Sequence, residues 1–220
     1  MKPIFHYLAL LALLTASAPG PADETPRPLA KVAAESDWIV LAQLNVFDYE
    51  QRRGIPVSGE TWFDVLLPYK VPQPAERLKV TEEGFGEGTC YFDEAKLWNE
   101  LPRYLLFLVE DEGELRGHPD GCSLPVLITA DNRYAVRWPI RQFDLGNEAE
   151  ALVREFDFQG PGAFVDLDDM TSIQRERRIE SDFLAPVDDG RYRYTRGIEM
   201  EDFRSLIAEH LTRDRLQRGR

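Results

Sequence analysis

Histidine is scarce in this chain, which restricts the acid–base chemistry that it can perform. Beyond the first residues only His118 and His210 occur. A serine-histidine-acid triad would need one of them as its base, and no Gly-x-Ser-x-Gly sequence is present to expose a nucleophilic serine. His118 is close in sequence to Cys122, but that cysteine is better used in a disulfide. We therefore predict no catalytic residue.

Carboxylate side chains are abundant and occur in clusters. Paired carboxylates at defined separations perform glycoside hydrolysis, and alternating acids bind calcium. The run from Asp166 to Asp169 has such alternation, but it lacks the central glycine and the terminal glutamate of a calcium loop. We interpret the clusters as solvated acidic loops and predict no metal and no cofactor. The clusters are Glu110, Asp111, Glu112 and Glu114; Asp166, Asp168 and Asp169; and Asp188 and Asp189.

Aromatic and arginine side chains are the candidates for a binding surface. Tryptophans inside strands usually belong to a core, so the two nearest to turns are the better candidates for contact with a ligand. An Arg-Tyr-Arg-Tyr run could form a contact surface, or it could be an exposed strand with local ion pairs. The predicted candidate binding residues are Trp98, Trp138, Arg191, Tyr192, Arg193 and Tyr194.

The two cysteines, Cys90 and Cys122, predict a disulfide if the chain folds in an oxidising compartment. A bridge that closes a loop of this length stabilises a fold by roughly 3 to 4 kcal/mol in the chain-entropy model. The alternative is a pair of free thiols. The histidines are too few, and the spacing is wrong, for a zinc site.

The amino terminus predicts export. One cation, Lys2, precedes a short apolar run and the small residues Ala16-Ser17-Ala18, the pattern of a secretory signal peptide. We expect a signal peptide over residues 1–22, cleaved after Ala18 or Ala22, and a proline-rich flexible leader over 23–35. The alternative is a buried amphipathic helix. The mature chain is expected in the periplasm or the extracellular medium.

Charge limits the partners. The chain carries a net charge of −13, and loss of the signal would remove Lys2 and no acid, which gives −14. Such a chain repels nucleic acid and anionic lipid surfaces. No later segment is long and apolar enough to cross a membrane. We therefore predict no nucleic acid, no membrane insertion after signal removal, and an unidentified partner that is a protein.

Residues 36–140 are predicted to form strands joined by turns. The segment from Trp38 starts as a continuous apolar run and ends in alternation, as expected of a strand that is buried on both faces and emerges at one end. Further strands are predicted at 61–71, 78–81 and 103–109, with a hairpin formed by 124–129 and 133–138. A short helix is predicted from Asp93 through Trp98. These elements predict a small all-β barrel or sandwich.

Residues 141–220 are expected to form a helical extension packed on that domain. An asparagine cap with a glutamate three residues later predicts a helix that contains Leu152, Val153 and Phe156. A second helix is predicted by one apolar stripe near the carboxyl terminus, with acids in its first turn and arginines in its last. The stripe comprises Met200, Phe203, Leu206, Ile207, His210 and Leu211. The fold class is thus mainly β with helical additions (α+β).

The order of these elements resembles exported OB-fold domains of the netrin-like type, which include the tissue inhibitors of metalloproteinases. The resemblance spans residues 36–140 and lies in Ser36–Ala42, Phe63–Leu66, a cysteine before Tyr104–Leu108, and Tyr134–Pro139. It implies a small closed OB-like barrel. Those inhibitors bind a protease zinc through an amino-terminal cysteine, and no cysteine lies near the expected mature start. No functional residue is therefore transferred.

Three functions follow as hypotheses. The first is an exported, soluble, non-catalytic interaction or binding module. The second is a carboxylate-dependent hydrolase of envelope glycans or peptides, and the third is a protease inhibitor.

Overall fold

The computed structural model describes residues 26–84, 89–92, 102–188 and 190–217, with the side chains of the last helix described as far as Leu211. This part of the chain is mostly β with three helices. The strands are β1 Arg27–Pro28, β2 Trp38–Arg52, β3 Ile55–Lys70, β4 Arg77–Glu83, β5 Arg103–Asp111, β6 Glu114–Gly117, β7 Ser123–Thr129, β8 Tyr134–Arg137, β9 Phe143–Asp144, β10 Arg154–Glu155, β11 Phe158–Gln159, β12 Phe164–Asp166, β13 Leu184–Asp188, β14 Arg191–Tyr194 and β15 Arg196–Glu199. The helices are α1 Leu29–Glu35, α2 Ser172–Asp182 and α3 Met200–Gln217, with 3-10 turns at Ala149–Leu152 and Pro161–Ala163.

Five strands close into a barrel. β2 pairs with β3, β3 with β4, β5 with β6 and β5 with β2, all antiparallel. The barrel is closed by one parallel pairing, Val80 of β4 with Leu115 of β6. This is an OB-like closed barrel, and it confirms the predicted fold class of mainly β with helical additions. β6 was not among the strands predicted from the sequence.

The first half of β2 is buried on both faces, as the apolar run from Trp38 predicted, and the middle of β5 is buried on both faces as well. Alternate residues of each strand point into the barrel, and the others point to a second core outside it. The barrel interior contains Val40 and Leu106, and the outer core contains Leu41 and Leu105; all four are fully buried. α1 and α3 cover the outer core. Together β2 and β5 thus form the wall between two hydrophobic cores.

The main sheet continues beyond the barrel. β7 pairs with the first half of β5, and β8, β15 and β10 follow in that order. β7 and β8 form the predicted hairpin. A separate sheet has the order β12-β14-β13, and α2 precedes β13. α2 begins with a capping box, in which the Thr171 and Gln174 side chains each accept a hydrogen bond from the other's backbone N–H.

The carboxyl-terminal region differs from the expected helical extension. α3 is present and buries Met200, Phe203 and Ile207, as the stripe predicted. The helix expected near Leu152 is replaced by a 3-10 turn and β10, because β10 satisfies the backbone of β15 through the Arg154–Gly197 and Glu155–Arg196 pairs. Between β10 and α3 the elements are the 3-10 turn Pro161–Ala163, the short strands β11 to β15 and the helix α2. None of the helices in the described part of the chain is both long and apolar enough to cross a bilayer.

The segment expected to be a flexible leader is partly helical. Residues 29–35 form α1, which buries Leu29, Val32 and Ala33 against the outer core. The buried Lys70 at the end of β3 donates hydrogen bonds to the carbonyl oxygens of Ala33 and Ala34, which are acceptors that a helix leaves unpaired at its carboxyl end. The helix predicted over 93–98 and the expected signal peptide lie outside the described residues.

Candidate functional site: the Trp138 cleft

A cleft opens where the chain leaves β8. Its volume is about 360 Å³, and its lining combines apolar side chains with polar ones at an open rim. Phe143 and Ala149 are buried, whereas Trp138, Ile140 and Leu145 are half-buried. Such a mixture of an apolar floor with a few polar groups is typical of ligand sites. The lining residues of this Trp138 cleft are Pro26, Trp138, Ile140, Phe143, Asp144, Leu145, Gly146, Asn147, Ala149 and Glu150.

The cleft is built from an irregular segment that other elements hold in place. The Trp138 backbone N–H donates to the Arg196 carbonyl at 3.0 Å, which attaches the segment to β15. β9 pairs in parallel with β1, and Pro26, which precedes β1, lines one side of the cleft. The Phe143 ring lies edge-on to Phe107 of the outer core, with centroids 5.5 Å apart. The cleft floor is therefore continuous with the outer core.

A tight turn places the acidic rim. The Asp144 carboxylate accepts a hydrogen bond from the Gly146 backbone N–H at 2.9 Å. Gly146 has φ +74°, a left-handed conformation that glycine adopts without a Cβ clash. The 3-10 turn that follows brings Glu150 to the same rim. Asp144, Asn147 and Glu150 are all exposed to solvent.

The rim carboxylates are not neutralised by neighbouring cations. Within the described residues, neither Asp144 nor Glu150 forms a salt bridge. The arginines that flank the segment bond elsewhere: Arg141 contacts Asp182, and Arg154 lies 2.8 Å from Asp202. The Trp138 cleft therefore presents negative charge beside an apolar surface.

Of the predicted binding residues, the structure places Trp138 in the cleft and the arginine-tyrosine run elsewhere. Arg191, Tyr192, Arg193 and Tyr194 form β14, which belongs to the separate three-stranded sheet. None of the four lines the Trp138 cleft. Trp98 lies outside the described residues.

The side chains of β14 are engaged within the chain. Tyr194 is buried, and the Arg137 guanidinium lies 4.5 Å from its ring centroid. Arg191 pairs with Asp188 at 2.6 Å and lies over Phe164, whereas Arg193 pairs with Asp157. These contacts are those of a strand with local ion pairs, which was the alternative interpretation of the run.

The two cysteines form a disulfide, Cys90–Cys122. It packs against Gly117 at the end of β6, whose backbone N–H donates to the buried Glu82 carboxylate at 2.7 Å. Burial raises the pKa of Glu82, although backbone hydrogen bonds from Gly117 and Cys90 act in the opposite direction. Glu82 does not line the Trp138 cleft, so the perturbed carboxyl and the cleft are different places.

His118 is buried close to this disulfide. Its Nδ1 accepts a hydrogen bond from the Asp120 backbone N–H, and its Nε2 lies 3.6 Å from a Glu35 carboxylate oxygen. Burial lowers the pKa of His118. With 2 % of its side chain exposed, the imidazole has no open path to a substrate, and its contacts attach α1 to the 117–122 turn.

Sequence reasoning missed Asp144, Asn147 and Glu150. One signal could have indicated them: from Trp138 to Gly146, apolar residues alternate with polar ones, but Pro139 and Gly146 rule out a regular strand or helix. An irregular segment this rich in apolar side chains must pack against something or leave a partly exposed apolar surface.

Searches of family models, curated proteins and solved structures found no match to this chain, so neither the resemblance to netrin-like domains nor any other family assignment receives support from them.

Proposed function

We propose that this protein is an exported, non-catalytic interaction module that binds a segment of a partner protein in the Trp138 cleft. The observation that carries the proposal is the open cleft with an apolar floor, a half-buried tryptophan and a polar rim. Binding surfaces with strong energetics combine a buried aromatic anchor with a polar rim that excludes water. The overall charge of −13 disfavours nucleic acid and anionic membranes as alternatives.

Export is part of the same proposal. The Cys90–Cys122 disulfide is compatible with an oxidising compartment. The signal-peptide pattern supports the same location. We expect the protein in the exported fraction, with its first residues removed at one of the two candidate sites and both cysteines resistant to alkylation before reduction. Intact-mass measurement of the purified mature protein tests this, and recovery of full-length reduced protein from the cytoplasm would contradict it.

The binding proposal is tested by site-specific photo-crosslinking in cells. A photoreactive amino acid replaces the exposed Asn147 at the cleft rim, and in a matched control it replaces the exposed Glu176 on α2. We expect a discrete protein adduct from position 147 and none of the same mass from position 176. Mass spectrometry of the adduct identifies the partner.

The adduct from position 147 supports the proposal only if its formation requires an intact Trp138 cleft. Trp138→Ala removes the aromatic side chain, and Glu150→Arg reverses the charge of an exposed rim residue without changing the core. Both changes should abolish the adduct from position 147 while the protein retains its cooperative unfolding transition. An adduct that persists in both variants would exclude the Trp138 cleft as the binding site.

Hydrolysis is the second candidate, because Asp144 and Glu150 share one cleft with a tryptophan. Two carboxylates flanking a sugar are the arrangement that glycosidases use. Release of soluble fragments from envelope glycans or peptides, lost in both Asp144→Asn and Glu150→Gln, would establish this function in place of the interaction module. A protease as the crosslinked partner would instead support the inhibitor hypothesis.

A further inference from the structure

The Trp138 cleft carries two carboxylates that lack an ion-pair partner. Two acids on neighbouring elements are paired with arginines, Glu199 with Arg133 at 2.5 Å and Asp202 with Arg154 at 2.8 Å, whereas the exposed Glu148 beside the cleft forms no salt bridge within the described residues. Asp144 and Glu150 have no cationic partner among the described residues. The cleft therefore retains two negative charges that the surrounding surface does not compensate.

Those charges lie beside apolar and aromatic surface. Ile140 and Leu145 offer contact for an aliphatic stem, and Trp138, which also lines the cleft, is the side-chain type on which cations bind most strongly. Lysine and arginine side chains bury their methylene groups on apolar surface while their charged heads contact carboxylates. Neutral apolar groups would gain no electrostatic attraction from the carboxylates, and acidic groups would be repelled.

We propose that the occupant of the Trp138 cleft is a basic side chain, lysine or arginine, within an extended segment of the partner protein. This inference rests on the proposed function and specifies the partner's chemistry. Arginine is the better match, because its planar guanidinium can contact carboxylates and stack on the tryptophan ring at once. The strong negative charge of the whole chain accelerates the approach of such a basic segment.

The test uses the purified mature protein and fluorescence polarisation with labelled peptides. The probe is the peptide Gly-Leu-Arg-Val-Ser-Gly, and its matched controls carry citrulline, lysine or glutamate in place of arginine. Citrulline has nearly the shape of arginine but no charge. We expect the order arginine, lysine, citrulline, glutamate from tightest to weakest, with about threefold to fivefold between arginine and citrulline, the size of an exposed ion pair.

Protein variants distinguish the contribution of the two rim carboxylates to peptide affinity from that of Trp138. Asp144→Asn with Glu150→Gln should abolish the preference for arginine over citrulline, together with its dependence on salt. The amide introduced by Asp144→Asn keeps an oxygen that can accept from the Gly146 backbone N–H. Glu148→Gln changes an exposed carboxylate that does not line the cleft, so it should leave both affinities within about twofold. Trp138→Ala should weaken all four peptides.

The outcomes distinguish failure of this inference from failure of the proposed function. Equal binding of the arginine and citrulline peptides, with loss of both in Trp138→Ala, would overturn the basic occupant and leave the cleft as the binding site. Peptide binding that is unaffected by Trp138→Ala would exclude the Trp138 cleft as the binding site. No binding of the arginine peptide by the native protein also overturns the inference, whatever partner the crosslinking experiment identifies.

Discussion

The barrel and the region from residue 138 to residue 199 are held together by different interactions. In the barrel, β2 and β3 are 15 and 16 residues long, and Val40, Leu44 and Phe63 on these strands are apolar and fully buried in its interior. In the later region most strands have two to five residues. Its smaller core is surrounded by arginines that stack on aromatic rings or pair with acids. One chain thus combines an apolar barrel with a more polar region that forms a cleft.

Truncation of a barrel residue should have the largest effect. Phe63 is fully buried and contacts the Phe92 ring at a centroid distance of 5.1 Å. Phe63→Ala should lower the free energy of unfolding by about 3–5 kcal/mol, because it removes apolar contacts and leaves a cavity. Urea denaturation measures this. Val46→Ala on the same ribbon, at a side chain that is 49 % exposed, should change it by less than about 0.5 kcal/mol.

Replacement of the buried acid in the later region should have the second-largest effect on the free energy of unfolding. Asp182 is 3 % exposed and pairs with Arg141 and Arg178, both of which remain partly solvated. Asp182→Asn should therefore cost about 1–2 kcal/mol, less than the loss of a fully buried pair. In the exposed barrel pair Lys79–Glu60, Glu60→Gln should cost less than about 0.5 kcal/mol. Equal losses of unfolding free energy in Asp182→Asn and Glu60→Gln would contradict the proposed difference between the two regions.

A pH effect tests the buried Glu82 carboxyl of the barrel. Burial raises the pKa of Glu82, so the folded protein binds that proton more tightly than the unfolded chain does. Its contribution to stability is complete below the ordinary carboxyl pKa and decreases as the pH rises through the raised value. Glu82→Gln should flatten this part of the stability curve, because the amide oxygen can still accept from Gly117. An unchanged curve would show that Glu82 does not titrate in this window.

The smallest effect concerns an arginine that stacks on a ring. The Arg196 guanidinium lies 4.8 Å from the Phe183 centroid and 3.1 Å from Glu155. Arg196→Gln should cost about 0.5–1 kcal/mol, the size of an exposed cation–π contact. Arg196→Lys keeps the charge but not the planar stack, so the free energy of unfolding of this variant should lie between those of the native protein and Arg196→Gln. If lysine restores the full stability, the ion pair and not the stack holds β15 to the α2 end.

Local patterns predicted the barrel better than the cleft for a physical reason. The continuous apolar run of β2 indicates burial on two faces, and the strong apolar run of β5 indicates a strand, wherever their partners lie. The arginine-tyrosine run has no such signature, because stacking and ion pairing depend on residues such as Arg137 and Asp157 that come from other strands or loops. Trp138 was recognised as a candidate, but its neighbours at the rim were not.

The amino-acid sequence alone was enough to predict the two-sided burial of β2, the strand β5, the cysteine pair and the carboxyl-terminal helix. Each depends on residue types and spacing within one segment. Three features became visible only in the tertiary structure. Val80 pairs with Leu115 to close the barrel, and residues 29–35 fold as a helix on the outer core. Pro26 and Glu150 line one cleft. These contacts join segments that are distant in the chain, and their stability comes from the apolar surface and backbone groups that only the assembled sheet presents.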